Sequence, residues 1–272
     1  GTVMTRVERS IYRDERMAGV AYAAIGTAIG AGAGLVLRRR GAAVALAAAG
    51  RELRRASARV RDSLLRDDLD DARMNVSALV GRDPSDLDAS GLSAAVIESL
   101  AENSVDAVVA PTLWALVAGA PGALGYRAVN TMDAMVGHHS PRYEHFGWAA
   151  ARLDDVANYV PARTTALLVA AVRPRRAPEV WRAVRTQGVA HPSPNAGVAE
   201  ASFAAALGCE LGGPLRYGDR PEVRPKMGFG PRPQPADITR AITLANHVEL
   251  ALLTGVAGAE LLRFSAARRR RT

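Results

Sequence analysis

Three clusters of polar side chains stand out as able to do chemistry. The first is Glu98-Ser-Leu-Ala-Glu102-Asn103-Ser-Val-Asp106. On an α-helix, residues four apart drift by only about 40°, so Glu98, Glu102 and Asp106 form one acidic stripe. Like charges in a row raise one another's proton affinity, and a chain tolerates them on a wet face or where a cation neutralises them. Oxygen ligands of this kind suit Mg²⁺ carried on a phosphorylated substrate. The stripe abuts an uncharged segment, where bare carboxylates are costly, and this favours the functional reading over a solvated helix face.

The second cluster runs from Asn130 and Asp133 through Arg142 to Arg152, Asp154, Asp155, Asn158 and Arg163. Arg152, Asp155 and Tyr159 share one helical face, and Asp154 and Asn158 another. Guanidinium forks beside carboxylates and amides suit a phosphate-bearing, metal-bridged ligand. By residue type alone, an interhelical salt-bridge network fits as well. His138, His139 and His145 lie nearby, but their spacing matches no familiar metal motif. The third cluster is His191-Pro-Ser-Pro-Asn195-Ala-Gly197. Both Pro residues hold their predecessors extended, Asn195 is placed to cap the helix that follows, and His191 is left as an acid, base or binding group. Phosphate-loop, nucleophile-elbow and zinc-protease motifs are all missing, so a nucleotide would need an uncommon site.

The elements that position these groups are helical. Ala18–Leu37 is 20 residues without charge or Pro, ending at Arg38–Arg40. At 1.5 Å per residue it spans about 30 Å, the thickness of a bilayer core. Gly26, Gly30 and Gly34 recur every four residues on one face, which lets a second helix approach backbone to backbone. Residues 41–50 are apolar but too short to span. Residues 51–80 read as amphipathic helices stopped at Gly81 and Pro84. A new helix from about Ser90 leads into Ala107–Tyr126, a second uncharged stretch, kinked, broken or re-entrant at Pro111 and Pro121. Residues 208–235 are dense in Pro and Gly and predict a loop-rich excursion with a short hairpin. A last helix starts near Asp237, and the chain ends in Arg268–Arg271.

Composition narrows the classes. The 272 residues hold 35 Lys and Arg against 27 Asp and Glu, and Lys226 is the lone lysine. Aromatic residues are 5%, so cores rest on small and aliphatic side chains. One cysteine, Cys209, excludes a disulfide framework or a cysteine zinc site within the chain. The Arg-rich end has no interleaved aromatic residues, which argues against nucleic acid and for a positive-inside anchor. The expectation is a mainly α, multi-pass helical membrane protein with amphipathic cytoplasmic helices, forming a single domain over 1–272, with membrane segments at 18–37 and 107–126 and cytoplasmic helices over 51–104.

Four motifs now carry a resemblance. Glu98-Ser-Leu-Ala-Glu-Asn-Ser-Val-Asp106, Ala128-Val-Asn-Thr-Met-Asp-Ala-Met-Val-Gly137, Phe146–Arg163 and His191-Pro-Ser-Pro-Asn-Ala-Gly197 resemble, in order, the CobD/CbiB family of adenosylcobinamide-phosphate synthases. The resemblance implies a membrane enzyme that joins 1-amino-2-propanol or its O-phosphate to a propionate carboxyl of adenosylcobyric acid, with ATP and Mg²⁺ as expected cofactors. It implies a corrinoid and an aminopropanol (phosphate) as substrates, membrane lipid and no nucleic acid as partners, and a plasma-membrane location with a cytoplasmic site. Glu98, Glu102, Asp106 and Asp155 are then the catalytic candidates, with Glu102 and Asp106 on the metal. Asn103, Asn130, Asp133, Arg142, Arg152, Asn158, Arg163, His191 and Asn195 are the substrate-binding candidates. The family pattern also has an apolar segment with Gly-Asp-Pro and His-Pro ahead of Gly1, so this chain is expected to be part of a longer protein. The rival expectation is a non-catalytic transporter or a scaffold for corrinoid enzymes. Carboxylates beside broken membrane helices suit a transporter too, although no internal repeat accompanies them.

Overall fold

A computed structural model describes residues 2–81, 83–138, 140–217 and 220–269, without the side chains of 38–49, 215–217, 220–222, 260, 263, 264 and 266–269. The elements in chain order are α1 (Thr2–Ile11), α2 (Arg16–Leu65), α3 (Leu69–Val76), α4 (Ala89–Ser104), α5 (Ala110–Val136), α6 (Trp148–Val172), α7 (Ala177–Thr186), α8 (Ala196–Leu207), strands β1 (Glu210–Tyr217) and β2 (Arg220–Gly228), and α9 (Pro235–Arg269). The chain is mainly α, as expected, and divides into two compact units. One comprises 1–53, 105–163 and 192–196; the other comprises 54–104, 164–191 and 197–272.

In the first unit the Gly stripe of α2 meets α5. A Cβ on Gly30 would lie 2.5 Å from the carbonyl oxygen of Leu124, and one on Gly34 would lie 2.5 Å from that of Ala120. Gly26 abuts Met132, and Gly19 abuts the backbone of Phe146. The missing side chains let backbones touch, as the four-residue spacing predicts. The expected break in the second apolar stretch is present. Ala118 (φ −131°) and Gly119 (φ 64°) leave helical geometry just before Pro121. Only glycine adopts that positive φ without strain, and Pro121 has no N–H to carry the ladder across. Around these helices Tyr22, Met132, Val136, Tyr126 and Phe146 form the core, with the Tyr22 and Phe146 rings 5.2 Å apart.

The second unit is built on two helices buried on all sides. Gly91 to Ala101 of α4 is buried throughout, as is Gly197 to Leu207 of α8. Over this stretch α4 has no solvent-facing side. The predicted hairpin is there, with β1 and β2 antiparallel and a bulge between Leu211 and Gly213.

Among the described residues, three helical stretches are long and apolar enough to cross a membrane: Arg16–Leu37, Ala89–Val136 and Pro235–Ala259. The first two contain the expected segments. The third is additional, because Asp237, Arg240 and Glu249 interrupt its apolar run and mask it in the sequence. The side chains of Arg38–Arg40, of residues 41–49 and of Arg268–Arg271 lie outside the described residues.

Candidate functional site

The acidic stripe does not run on unbroken. Glu98 and Glu102 stand on α4, but Val105–Val109 is a π-helical turn. Its extra residue per turn rotates Asp106 away from the α-helical register, and such turns recur at functional sites. The two parts of the stripe therefore serve different clusters.

Asp106 is the centre of the cluster in the first unit. Its Oδ1 accepts from Asn158 Nδ2 at 3.1 Å and from Tyr126 Oη at 3.3 Å. Its Oδ2 accepts from Asn130 Nδ2 at 3.1 Å. Both amides also reach Asp154, Asn158 at 2.9 Å and Asn130 at 3.5 Å. Each carboxamide has two N–H groups, so each bridges both carboxylates. Tyr126 shares its single O–H between Asp106 Oδ1 and Asn158 Oδ1, the nearer acceptor at 2.8 Å, which fixes that amide's orientation. The i,i+4 spacing of Asp154 and Asn158 places both on one face of α6, and Tyr126 and Asn130 are likewise one turn apart on α5. Asp133, a turn further along, faces the charges of Asp154 and Asp155. Burial holds the Asp154 carboxyl above the ordinary range; the amides lower it and Asp155 raises it. Burial also raises Asp155, against the lowering effect of Arg152, whose Nη1 lies 3.5 Å away. Stacked carboxyls that resist ionisation attract a cation.

Arg163 and Asn195 meet beside this network. Arg163 lies over the Tyr159 ring at 3.7 Å and donates to Asn195 Oδ1 at 2.8 Å. Asn195 Nδ2 in turn donates to the Asp155 carbonyl at 2.8 Å. This corrects the expected cap. Asn195 turns its side chain to α6, and Ser193 Oγ accepts the N–H groups of Asn195 and Ala196 instead. Arg142 has a different setting, 3.3 Å from the buried Glu8 and over the rings of Tyr12 and Tyr143. His138 packs edge-on to Tyr143 and His145 lies 3.4 Å from Asp14, while His139 is outside the described residues.

The second unit holds its own polar cluster. Glu98, buried, accepts the Gly212 N–H at 2.9 Å. That amide is released from the strand ladder by the bulge, where Gly212 has φ +79°. Asn103 donates back within its own helix, to the Ser99 carbonyl at 2.9 Å. Glu102 shares a hydrogen bond with Glu200, which is buried on α8. Burial, together with the Glu98 and Glu102 charges, drives the Glu200 carboxyl well up from its usual range. His191, also buried, has its Nε2 3.6 Å from Glu200 Oε1 and in contact with Arg224. Among the described residues, no three His, Cys, Asp or Glu side chains are grouped to hold a metal ion.

Tyr126, Glu200 and Arg224 are absent from the sequence-derived candidates. Glu200 did leave a signal, as the one charge in the otherwise apolar run Ala196–Leu207. Arg224 left none among so many arginines.

The profile of the family described as CobD/Cbib protein matches residues 1–245, the stretch that carries both clusters. The chain belongs to the CobD/CbiB family. Curated relatives in that family bear the name Cobalamin biosynthesis protein CobD. The one from Mycobacterium tuberculosis (strain ATCC 25618 / H37Rv) is 44% identical over 289 residues, covering 100% of this chain and 88% of its own. That from Rhodobacter capsulatus is 49% identical over 188 residues, 69% of this chain and 60% of its own. That from Geobacter metallireducens is 40% identical over 255 residues, 88% of this chain and 80% of its own. No solved structure matches the chain. All nine motif residues from Glu98 to Asp106 fall within the CobD/CbiB match, as do Asp154, Asn158 and His191.

Proposed function

We propose that this CobD/CbiB chain acts in cobalamin biosynthesis as an amide synthase, joining 1-amino-2-propanol or its O-phosphate to a propionate carboxyl of adenosylcobyric acid. The observation that carries the reading is the family match over 1–245, with relatives named for cobalamin biosynthesis. The Asp106 network adds chemical support. Two carboxylates fixed by two shared amides make an oxygen-only donor set, which fits a hard divalent cation that draws its remaining ligands from water and phosphate. Asp106 and Asp154 would hold such a cation. Cleavage of a bound Mg-ATP would supply the free energy that condensing a carboxylate with an amine lacks at neutral pH.

The chain's own residues do the rest. Asn130 and Asn158 keep both carboxylates in place by donating to them. Arg152 and Arg163, always protonated, bind phosphate oxygens, and Tyr159 orients the Arg163 fork by stacking. Asp133 and Asp155 add negative charge that a bound cation or ammonium offsets. The protein sits in the plasma membrane through the three apolar stretches, with the Asp106 network on the cytoplasmic side. Cysteine accessibility tests that placement in a Cys209→Ser background, because Cys209 is free and buried.

The reaction is tested by mass spectrometry of detergent-solubilised protein given adenosylcobyric acid, ATP, Mg²⁺ and both amines in competition. The expected product is the corrinoid amide. Product from the phosphorylated amine alone supports the arginine assignment. No amide from either amine, in the full-length protein, overturns the reading in favour of a transporter or scaffold.

A further inference from the structure

A buried carboxylate and a buried hydroxyl of the first unit keep hydrogen-bonding capacity that the protein does not use. Glu8 of α1 is 6% exposed. Its Oε1 accepts from Tyr143 Oη at 2.8 Å and from Arg142 Nη2 at 3.3 Å. Its Oε2 accepts no hydrogen bond from the described residues. Tyr22 of α2 is wholly buried, and its Oη has no hydrogen-bond partner among the described residues. Glu8 and Tyr143 are the ionisable groups that face it. An unmet buried hydroxyl is costly, and a buried carboxylate needs a well-placed positive partner. One small ligand rich in N–H donors would satisfy both groups together.

The setting favours a cation over a neutral molecule. The rings of Tyr12, Tyr22 and Tyr143 gather round Phe146, with centroids 5.2, 5.2 and 6.4 Å from its own. Aromatic faces beside a carboxylate attract ammonium and guanidinium groups. The protein's own Arg142 already uses this: its guanidinium lies 4.7 Å from the Tyr12 ring centre and 5.4 Å from that of Tyr143. The fit is loose. Its 3.3 Å contact with Glu8 is long for a charge-assisted hydrogen bond, and its side chain stays 57% exposed. It makes no hydrogen bond to Glu8 Oε2 or to Tyr22 Oη. A primary ammonium is more compact and carries three N–H donors, enough for both of those oxygens at once. Tyr12 Oη holds the Arg142 carbonyl at 2.7 Å, so the backbone is anchored while the side chain is free to swing outward.

We propose that Glu8, Tyr22 and the rings around Phe146 form a binding site for the ammonium group of a small amino alcohol, and that Arg142 yields this place and takes the phosphate when the amino alcohol carries one. A phosphorylated amine is then recognised at both ends, by opposite charges on neighbouring elements. That this amine is the one condensed with the corrinoid carboxyl rests on the amide-synthase reading. Recognition of the ammonium does not.

The test is isothermal titration of the whole protein in detergent, without ATP or corrinoid. The probes are 1-amino-2-propanol, its O-phosphate, and 1,2-propanediol as the uncharged isostere. Both amines are expected to bind and the diol not, with the phosphate ester about tenfold or more tighter than the free amine. Glu8→Gln keeps the shape but removes the charge, and is expected to weaken both amines about tenfold or more. Tyr22→Phe deletes an oxygen without a protein partner. It is expected to leave the melting temperature unchanged or raised while weakening both amines about fivefold, a loss that a merely structural tyrosine would not produce. Arg142→Gln is expected to abolish the preference for the phosphate and to bind the free amine at least as well. Failure of either amine to bind the folded protein, or equal binding of amine and diol, overturns the proposal and leaves the site to a water only. Unchanged amine affinity in Tyr22→Phe also overturns it, and decides even if Glu8→Gln fails to fold. Amine binding with these variant effects but no amide product sinks the functional reading alone. Amide synthesis whose KM for the amine is unmoved by Tyr22→Phe sinks this inference alone.

Discussion

Trp114 gives its indole N–H to the carbonyl oxygen of Ala157 across 3.2 Å. In an unbroken helix that carbonyl would accept the N–H four residues on, but the residue there is Pro161, which has none. The indole supplies what the proline withholds, and α5 is thereby tied to α6 beside the Asp106 network. Trp114→Phe keeps the ring and leaves the carbonyl unpaired, so it is expected to destabilise the protein by about 1–3 kcal/mol. Pro161→Ala in the Trp114→Phe background restores a helical N–H and is expected to recover much of that loss. Thermal unfolding of the double-mutant cycle measures the coupling, and strictly additive effects would contradict it.

Close approach at the glycine stripe makes a graded prediction. Gly30→Ala places a methyl against the Leu124 carbonyl and is expected to cost about 1–3 kcal/mol, as overpacking does. A Cβ on Gly32 would meet nothing within 4 Å, so Gly32→Ala is expected to be neutral or slightly stabilising. Equal effects at the two positions, measured by thermal unfolding in detergent, would dismiss the packing argument.

Asp106→Asn removes a charge from the carboxylate pair while preserving shape. It is expected to lower amide synthesis by about a hundredfold or more, through loss of charge for the cation, and to cost about 1–3 kcal/mol of stability because an accepting oxygen becomes a donor. Asn158→Leu keeps both carboxylates and is expected to lower stability by about 1–3 kcal/mol, because Tyr126, Asp106 and Asp154 each lose a partner. Activity and unfolding assayed on the same preparations separate the two roles. Near-normal turnover of Asp106→Asn at limiting Mg²⁺ would remove Asp106 from the site.

Glu200 sets a pH dependence. Its carboxyl is raised above the ordinary value of 4.5 by burial and by Glu98 and Glu102. A group raised in the folded state contributes stability that is fully present below its unfolded value and is lost as pH rises through the folded one. Glu200→Gln carries no such penalty. The melting temperature of Glu200→Gln relative to the unaltered protein is therefore expected to climb as pH rises from 5 towards 8, by about 2–4 °C for each kcal/mol. A gap that stays constant with pH would mean that Glu200 is ionised throughout.

Much of this molecule is legible in one dimension, because one-dimensional spacing reports neighbours within a single helix. Four-residue recurrence placed Gly26, Gly30 and Gly34 on one packing face, and put Asp154 beside Asn158. The uncharged run Ala18–Leu37 announced its helix, and Pro121 marked the region of the break, although the positive φ fell on Gly119. What spacing cannot report is a contact made after the chain turns back. The π-helical turn at Val105–Val109 separates Asp106 from Glu98 and Glu102, and a local insertion of this kind is held by tertiary hydrogen bonds, here those from Tyr126, Asn130 and Asn158, rather than by any residue preference. The same holds for Asn195, whose type suits a helix cap but whose amide is taken by Arg163 and the Asp155 carbonyl. Arg224 and His191 lie 33 residues apart, with a buried helix and a strand between them. Their meeting was decided by the fold alone, because it needs the chain to turn back through α8 and the hairpin before the two side chains can touch.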